Sequence, residues 1–294
     1  MKSFTINNND AGQRLDKFIK KVSVKLPNSL MYKSIRTKNI KVNRKRCQAD
    51  MFLNEGDVVD IYLSDEFFID YEGGRVFHSI PFDTLAIAYE DENFVIADKP
   101  AFVICHGENS LLSQVQSYLF DKGEYDPKRE QSFSPALCNR IDYSTSGLVI
   151  VAKNSLALRE MDKAIAQRLV HKKYRCKVSG VFPGKSGTFT VYLKKGENNK
   201  VDVSKTPKDG YKEAVTKYKY LGDNEVELEL ITGRTHQIRA TLAYIGCPIV
   251  GDIKYGGIKN SNGMLLCSYS ISFDCQPPLD YLNKLKPVHS LLWR

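Results

Sequence analysis

A polar loop that runs directly into an apolar strand contains the residue best suited to catalysis. Residues 139–146 read Asn-Arg-Ile-Asp-Tyr-Ser-Thr-Ser, and residues 147–152 read Gly-Leu-Val-Ile-Val-Ala. A carboxylate on a loop that a rigid strand positions can act as a nucleophile or as a general base. Asp142 is that carboxylate, and Arg140 lies two residues before it. Taken alone, the pattern is equally typical of an ordinary turn with a capping aspartate.

A second stretch carries donors for a phosphate or a carboxylate. Residues 231–239 read Ile-Thr-Gly-Arg-Thr-His-Gln-Ile-Arg, so a strand ends in a glycine turn that precedes three cationic or imidazole side chains. Two arginines fixed by a helix start suit bidentate pairing with oxyanions. The alternative is an exposed basic helix start, and His236 by itself is more often a structural hydrogen-bonding residue than a catalyst.

The sequence lacks the motifs that are typical of several other kinds of catalytic or binding site. The five histidines and seven cysteines show no His-Glu-x-x-His and no Cys-x-x-Cys spacing, so we expect no metal. Residues 180–186 look like a phosphate-binding loop but have three residues between the glycines, where that loop needs four. A Gly-x-Ser-x-Gly nucleophile motif is also missing. We therefore expect no metal, no nucleotide and no organic cofactor.

The elements that must position these residues are mainly strands. Residues 85–99 predict two strands around an acidic turn, residues 147–153 an apolar strand, and residues 155–169 an amphipathic helix. Further half-buried strands are predicted at residues 174–178, 214–220, 225–232 and 265–273. Because the helices are interspersed without a repeating βαβ unit, we predict an α+β fold with a central mixed or antiparallel sheet.

A small basic module is predicted before this region. It has an amphipathic helix that opens at Arg14-Leu15-Asp16, a second helix capped by Ser29, and short strands at residues 40–43 and 57–63. Seven basic residues and no acid lie between Lys33 and Arg46. Such a run favours contact with phosphates over a merely solvated basic face. The predicted RNA contacts are Lys33, Arg36, Lys41, Arg44, Lys45 and Arg46.

Composition agrees with a globular protein that binds a polyanion. The chain has 294 residues, 42% hydrophobic and 26% charged, with a net charge of +9. The first ten residues lack the apolar run of a secretory signal, and no stretch is apolar enough for a membrane span. The cysteines are odd in number and none has Cys-x-x-Cys spacing, so we expect a cytoplasmic protein with reduced thiols.

Two known families match these motifs. Residues 11–64 resemble the S4 RNA-binding domain. Residues 85–275 resemble the RluA-type pseudouridine synthases, which modify uridines in ribosomal or transfer RNA. The matching motifs, in family order, are Asp98-Lys99-Pro100 with His106, residues 139–147, residues 172–180, residues 213–216 and residues 233–239. This chain departs from the family pattern at Asn139, at Ile141 and at Cys267, where the family has His, Leu and often His.

The resemblance implies a fold, an activity and a set of roles. It implies a pseudouridine synthase fold with a small α/β S4-like module, divided as residues 1–65 (S4-like domain), 66–83 (linker) and 84–294 (catalytic domain). It assigns Asp142 as the essential carboxylate, either attacking C1′ or abstracting the C2′ proton, with Arg239 as its cationic partner. Tyr174 would stack on the uracil and take the C5 proton. The remaining implied site residues are Arg140, Arg234, His236 and Leu266.

The implied substrate is structured RNA, with ribosomal RNA (23S) favoured over transfer RNA, and we expect a monomer. A non-catalytic RNA-binding relative is the alternative, although the presence of Asp142, Tyr174 and Arg239 together favours an enzyme.

Overall fold

The computed structural model describes residues 1–68, 79–196 and 200–293. The predicted linker at residues 66–83 falls largely on residues 69–78, which lie outside the described residues. The chain separates into two compact units. The first unit comprises Met1–Ile80, Gln116–Pro135 and Lys153–Leu156, and the second comprises Pro81–Val115, Ala136–Ala152 and Ala157–Arg294.

The described residues form five α-helices and fourteen β-strands. The helices are α1 (Leu15–Val22), α2 (Asn28–Arg36), α3 (Leu111–Asp121), α4 (Ser155–Ala166) and α5 (Gln237–Tyr244). The strands are β1 (Lys2–Thr5), β2 (Ile40–Val42), β3 (Val58–Ile61), β4 (Ala86–Glu90), β5 (Phe94–Lys99), β6 (Ala136–Leu137), β7 (Ser146–Ala152), β8 (Val170–Lys177), β9 (Ser186–Lys195), β10 (Val201–Ser204), β11 (Lys212–Gly222), β12 (Glu225–Leu230), β13 (Leu266–Phe273) and β14 (Val288–His289). No helix among these residues is long and apolar enough to cross a membrane.

The N-terminal part of the first unit is a small sheet covered by two helices. The sheet has the antiparallel order β1-β3-β2. The predicted amphipathic helix is α1, which buries Leu15, Phe18, Ile19 and Val22 at helical spacing against this sheet's apolar residues. The second helix starts at Asn28 with Pro27 as its N-cap, two residues before the predicted cap at Ser29.

The second unit is built on one large sheet. Its strand order is β10-β9-β11-β12-β8-β13-β7-β5-β4, with β6 paired to β7 and β14 paired to β13. All pairs are antiparallel except β7 with β13, which makes the sheet mixed. The predicted α+β class with a mixed sheet is therefore confirmed. Helix α4 ends at Ala166, three residues before its predicted end, because Arg168 takes a left-handed conformation with φ 63°.

The parallel contact between β7 and β13 depends on a glycine. Gly147 has φ 109°, and a Cβ atom on it would overlap with the backbone of Ser268 on β13. Any other residue would force these strands apart at the point where the loop of residues 139–145 enters β7. The starts of β7 and β13 therefore lie side by side, next to the loop that carries Asp142.

Candidate active site

Seven of the predicted site residues line one cleft of the second unit. Its volume is about 780 Å³. The seven are Arg140, Asp142, Tyr174, Arg234, His236, Arg239 and Leu266. They come from four separate parts of the chain, which the sheet and α5 bring to a single place.

The loop that carries Asp142 is held by a buried lysine. Lys99 ends β5 and is fully buried, and its Nζ donates hydrogen bonds to the carbonyl oxygens of Pro100 (2.9 Å), Val103 (2.8 Å) and Tyr143 (3.3 Å). Burial lowers the pKa of Lys99 to about 8, while the charge of Asp142 opposes that decrease. An ammonium group with three carbonyl partners thus fixes the backbone directly after Asp142.

Asp142 forms an ion pair with Arg239, which α5 presents. Arg239 Nη1 donates to Asp142 Oδ2 at 2.9 Å, and the Asp142 side chain keeps 30% of its exposure. The two residues are 97 positions apart in sequence. A half-exposed carboxylate with one fixed oxygen can meet a ligand in the cleft while its charge is balanced.

The same arginine binds a second carboxylate that the sequence reasoning missed. Arg239 Nε and Nη2 donate to Asp252 Oδ2 and Oδ1 at 2.8 and 2.9 Å, and Asp252 is 2% exposed. This bidentate geometry fixes the guanidinium plane. Burial lowers the pKa of Arg239, but the hydrogen bonds to Asp252 and Asp142 outweigh it and raise the pKa overall. The available sequence signal was an acid in a glycine-flanked turn after an apolar segment, residues 247–252.

His236 approaches the same oxygen of Asp142 that Arg239 binds. Its Nε2 is 3.7 Å from Asp142 Oδ2, and its Nδ1 shares a hydrogen bond of 2.9 Å with the Tyr255 hydroxyl. Burial lowers the pKa of His236, and Asp142 partly counteracts this by its negative charge. The imidazole is therefore mainly neutral at neutral pH.

Tyr174 and Leu266 form an apolar part of the cleft. Tyr174 is buried on β8 and packs in the same apolar cluster as Leu266 at the start of β13. Burial raises the pKa of Tyr174 to about 12, although a hydrogen bond with Ser268 lowers it. The phenol is neutral at neutral pH, and Tyr174 is among the residues that line the cleft.

The remaining cationic side chains border the cleft. Arg140 is exposed, and Arg234 is exposed with its Nε donating to the Glu213 carbonyl oxygen at 3.1 Å. Arg168, Lys172 and Lys217, which the sequence reasoning did not single out, also line the cleft. The cleft is thus bordered by positive charge, which suits an anionic ligand.

Among the described residues, no group of three or more His, Cys, Asp or Glu side chains could hold a metal ion.

Asn139, where the resembled family has His, accepts a hydrogen bond from the Ile150 backbone N–H on β7 at 2.8 Å. It links the start of the Asp142 loop to the strand that follows.

The predicted basic contacts of residues 33–46 lie in the first unit. Lys33, Arg36, Arg44, Lys45 and Arg46 are exposed, and Lys41 is half-buried with its Nζ over the Tyr62 ring at 5.3 Å. In the part of the chain that the structure describes, none of these six is in an ion pair with a carboxylate. Their charge is therefore available to an external anion.

Comparison with known proteins identifies the family. A family model described as RNA pseudouridylate synthase matches residues 93–244. The chain is 36% identical over 302 residues to an uncharacterized RNA pseudouridine synthase of Mycoplasma capricolum, with 100% of this chain and 99% of that protein covered. It is 32% identical over 308 residues to the ribosomal large subunit pseudouridine synthase C of Buchnera aphidicola, with 95% and 94% covered.

Solved structures agree on the fold. Human RNA pseudouridylate synthase domain containing 1 matches with a TM-score of 0.53 at 22% identity, over 73% of this chain and 93% of that one. Human RNA pseudouridylate synthase domain containing 4 matches with a TM-score of 0.54, also at 22% identity, over 66% and 85%. The family predicted from the motifs is confirmed: the chain belongs to the RNA pseudouridylate synthases and is an RNA pseudouridine synthase.

Proposed function

We propose that this enzyme isomerises defined uridines of ribosomal RNA, with the 23S RNA of the large subunit as the favoured substrate, and that Asp142 is its essential carboxylate. The observation that carries the proposal is the Asp142–Arg239 ion pair in a cleft bordered by cations. The name of the Buchnera relative supports a large-subunit substrate. Transfer RNA is the alternative, and a cytoplasmic, monomeric enzyme fits either RNA.

The reaction requires no external reactant. The C1′–N1 bond of the uridine breaks, the uracil turns, and C1′ bonds to C5; the proton that C5 loses is matched by the one that N1 gains. Because nothing is oxidised and no group leaves the substrate, we propose chemistry without a metal or an organic cofactor. Protein side chains then have to provide the carboxylate and move the protons.

Asp142 can act in either of two ways. It can attack C1′ to form an ester, or it can abstract the C2′ proton. Arg239 fixes Oδ2, whereas no hydrogen bond reaches Oδ1 from the described residues. The second carboxylate, Asp252, balances the charge of Arg239, so that Arg239 orients Asp142 without neutralising the whole site.

Tyr174 is proposed to stack on the uracil and to take the C5 proton. Its apolar surroundings suit stacking. With a pKa of about 12, preformed phenolate is rare, so the phenol would accept the C5 proton while passing its own proton on towards N1, which gains one in the reaction. Tyr174→Phe keeps the ring and removes the hydroxyl, and it separates the two roles.

The other residues are proposed to hold the RNA. The target nucleotide must leave its stack to reach Asp142, which costs a few kcal/mol that other contacts must offset. Arg140 would hold the RNA backbone or fill the space that the unstacked nucleotide leaves. Arg234 and His236 would contact phosphate or orient the Asp142 loop. Leu266 would form one side of the pocket. Residues 1–65 would act as an S4-like RNA-binding domain ahead of a catalytic domain at residues 84–294.

The test is pseudouridine mapping. Total ribosomal and transfer RNA from a deletion strain should lack pseudouridine at defined positions, and purified wild-type enzyme should restore them in vitro. Asp142→Asn should abolish this turnover while binding the same RNA nearly as well, because the amide keeps the shape but cannot act as a nucleophile or base.

Asp274→Asn, which changes an exposed carboxylate of the same unit, is the matched control and should remain active. Substantial turnover by Asp142→Asn would remove Asp142 from the reaction. Loss of pseudouridine only from transfer RNA would move the substrate assignment to that class.

A further inference from the structure

An aromatic residue next to the Asp142 loop has a backbone conformation that suits glycine. Phe102 has φ 66°, in the left-handed region that bulky residues rarely occupy. Its backbone N–H donates to the Tyr143 carbonyl oxygen at 2.7 Å, and Lys99 holds the carbonyl oxygens of Pro100 and Val103 on either side of it. The surrounding structure therefore maintains this unfavourable conformation.

Burial does not compensate for that conformation. The Phe102 side chain is 52% exposed, and Tyr143, whose ring lies edge-to-face at 5.7 Å, is 55% exposed. Part of the Phe102 ring packs on Gly263, where any side chain would overlap with it. An exposed ring on a strained backbone, as at Phe102, adds little to folding, and backbone outliers of this kind concentrate at ligand-binding sites.

Phe102 and Tyr143 do not line the cleft themselves, but both lie close in sequence to residues that do. Tyr143 directly follows Asp142, and Cys105 and His106, shortly after Phe102, line the cleft. The opening is bordered by the cations already described, including Arg140 and Arg234, so the ligand that suits it is a polyanion. Among polyanions, a nucleic acid strand also carries flat apolar groups at regular spacing, and these match two exposed rings.

We propose that the Phe102–Tyr143 pair is a stacking surface for a nucleobase beside the target uridine. The pair holds the neighbouring base after the strand has been unstacked, while Asp142 acts on the target. The inference rests on the proposed function, since it takes the cleft to bind an RNA strand. It adds a specificity element, because purines stack on aromatic rings more extensively than pyrimidines.

The decisive variant is Phe102→Gly. It removes the ring and relieves the left-handed strain, so the melting temperature should stay the same or rise. The KM for large-subunit RNA transcripts should increase between about fivefold and about a hundredfold, the range of base–aromatic stacking, with little change in kcat. Tyr143→Ala should act in the same direction. Tyr244→Ala, an aromatic residue of similar exposure (49%) on α5, is the control and should change neither parameter.

A direct probe is a nine-nucleotide RNA with 2-aminopurine beside a central uridine. Stacking on the wild-type enzyme should quench its fluorescence, and Phe102→Gly should reduce that quenching and raise the Kd. An RNA with an abasic site in place of the purine should bind both proteins equally. Equal quenching by wild type and Phe102→Gly would overturn the proposal, including the case in which the rings serve a protein partner.

The outcomes separate this inference from the proposed function. If the wild type forms no pseudouridine in any RNA but its quenching depends on Phe102, the ribosomal substrate assignment fails and the stacking surface stands. If the wild type is active and Phe102→Gly leaves KM unchanged, the stacking surface fails alone. A lower melting temperature of Phe102→Gly would make the ring a structural support and would also overturn the proposal.

Discussion

Asn139 shows how a single departure from a family motif can be judged from its contacts. The resembled enzymes have His at this position, three residues before Asp142. In the structure Asn139 Oδ1 accepts the Ile150 N–H, and this contact ties the loop to β7. An amide does not titrate near neutral pH, so Asn139 supports the loop rather than transferring protons.

Two substitutions test this role. Asn139→His should keep the rate within a few-fold, because His Nδ1 can occupy the place of Asn Oδ1 and accept the same N–H. Asn139→Ala should lower the free energy of unfolding by about 0.5–1.5 kcal/mol, the value of one hydrogen bond. Urea unfolding and single-turnover pseudouridine formation measure the two effects. A large gain of activity in Asn139→His would mean that the wild type lacks a catalytic histidine.

His236 allows a test of site electrostatics at the same scale. Burial lowers its pKa, Arg239 and Lys254 lower it further, and Asp142 and Asp252 raise it. Asp142→Asn should therefore lower the His236 pKa, because the nearest negative charge, 3.7 Å away, is lost. Histidine NMR titration measures it, and Asp274→Asn is the control that should leave it unchanged.

The same lowered pKa has a consequence for stability. The unfolded chain binds a proton at His236 more readily than the folded protein does, so this group disfavours the fold as the pH falls below about 6.5. Its contribution to stability is fully present above that pH.

An increase of the His236 pKa in Asp142→Asn, in place of the expected decrease, would contradict the described ion-pair geometry.

At the scale of elements, the contact between β7 and β13 positions the Asp142 loop. These strands are parallel neighbours that pair over only two residues, Ser146 with Cys267 and Gly147 with Ser268. The contact is possible because Gly147 has no side chain. A change there should disturb the start of β7 and therefore the loop as well as the core.

Gly147→Ala measures this effect, with Gly222→Ala as a matched control. Both glycines have positive φ, 109° and 101°, but only Gly147 has backbone where a Cβ would lie, whereas Gly222 has open space. Gly222→Ala should cost about 1–2 kcal/mol of backbone strain, and Gly147→Ala roughly 2–4 kcal/mol, since overpacking adds to the strain. Urea unfolding compares them, and equal losses would mean that the strand contact does not depend on Gly147.

At the scale of the whole molecule, the net charge of +9 is unevenly distributed along the chain. The basic run at residues 33–46 lies on the helix α2, the strand β2 and the turn after them, and its basic side chains are exposed except that of Lys41, which is half-buried. If this face follows an RNA backbone, affinity should depend strongly on salt, because each phosphate contact releases counterions.

The prediction compares two triple variants. Replacing Arg44, Lys45 and Arg46 by Gln should weaken RNA binding and flatten the plot of log K against log salt by roughly 0.7–0.9 per lost contact. Replacing Lys259, Lys284 and Lys286, three exposed lysines of the second unit, removes the same charge and should leave that slope nearly unchanged. Equal effects of both variants would show that only net charge matters.

Deleting residues 1–65 should impair substrate choice more than chemistry.

Local patterns in the sequence determined several features of this protein. The period of α1, the alternation of β12 and the apolar run of β7 are set by residues a few positions apart, and each was predicted near its observed place. The loop before β7 was recognisable for the same reason. Strands β9 and β10 were not predicted, although residues 188–193 of β9 and Val201–Ser204 of β10 alternate between apolar and more polar side chains.

Only the tertiary structure decided how the site is assembled. Arg239 meets Asp142 across 97 positions and is fixed by Asp252, which the sequence pattern alone did not single out as a functional residue. The strain at Phe102 likewise follows from contacts with Tyr143 and Lys99. Contacts of this kind depend on strand order and register, which are set by packing of the whole sheet, whereas periodicity reports only which face of one element is buried.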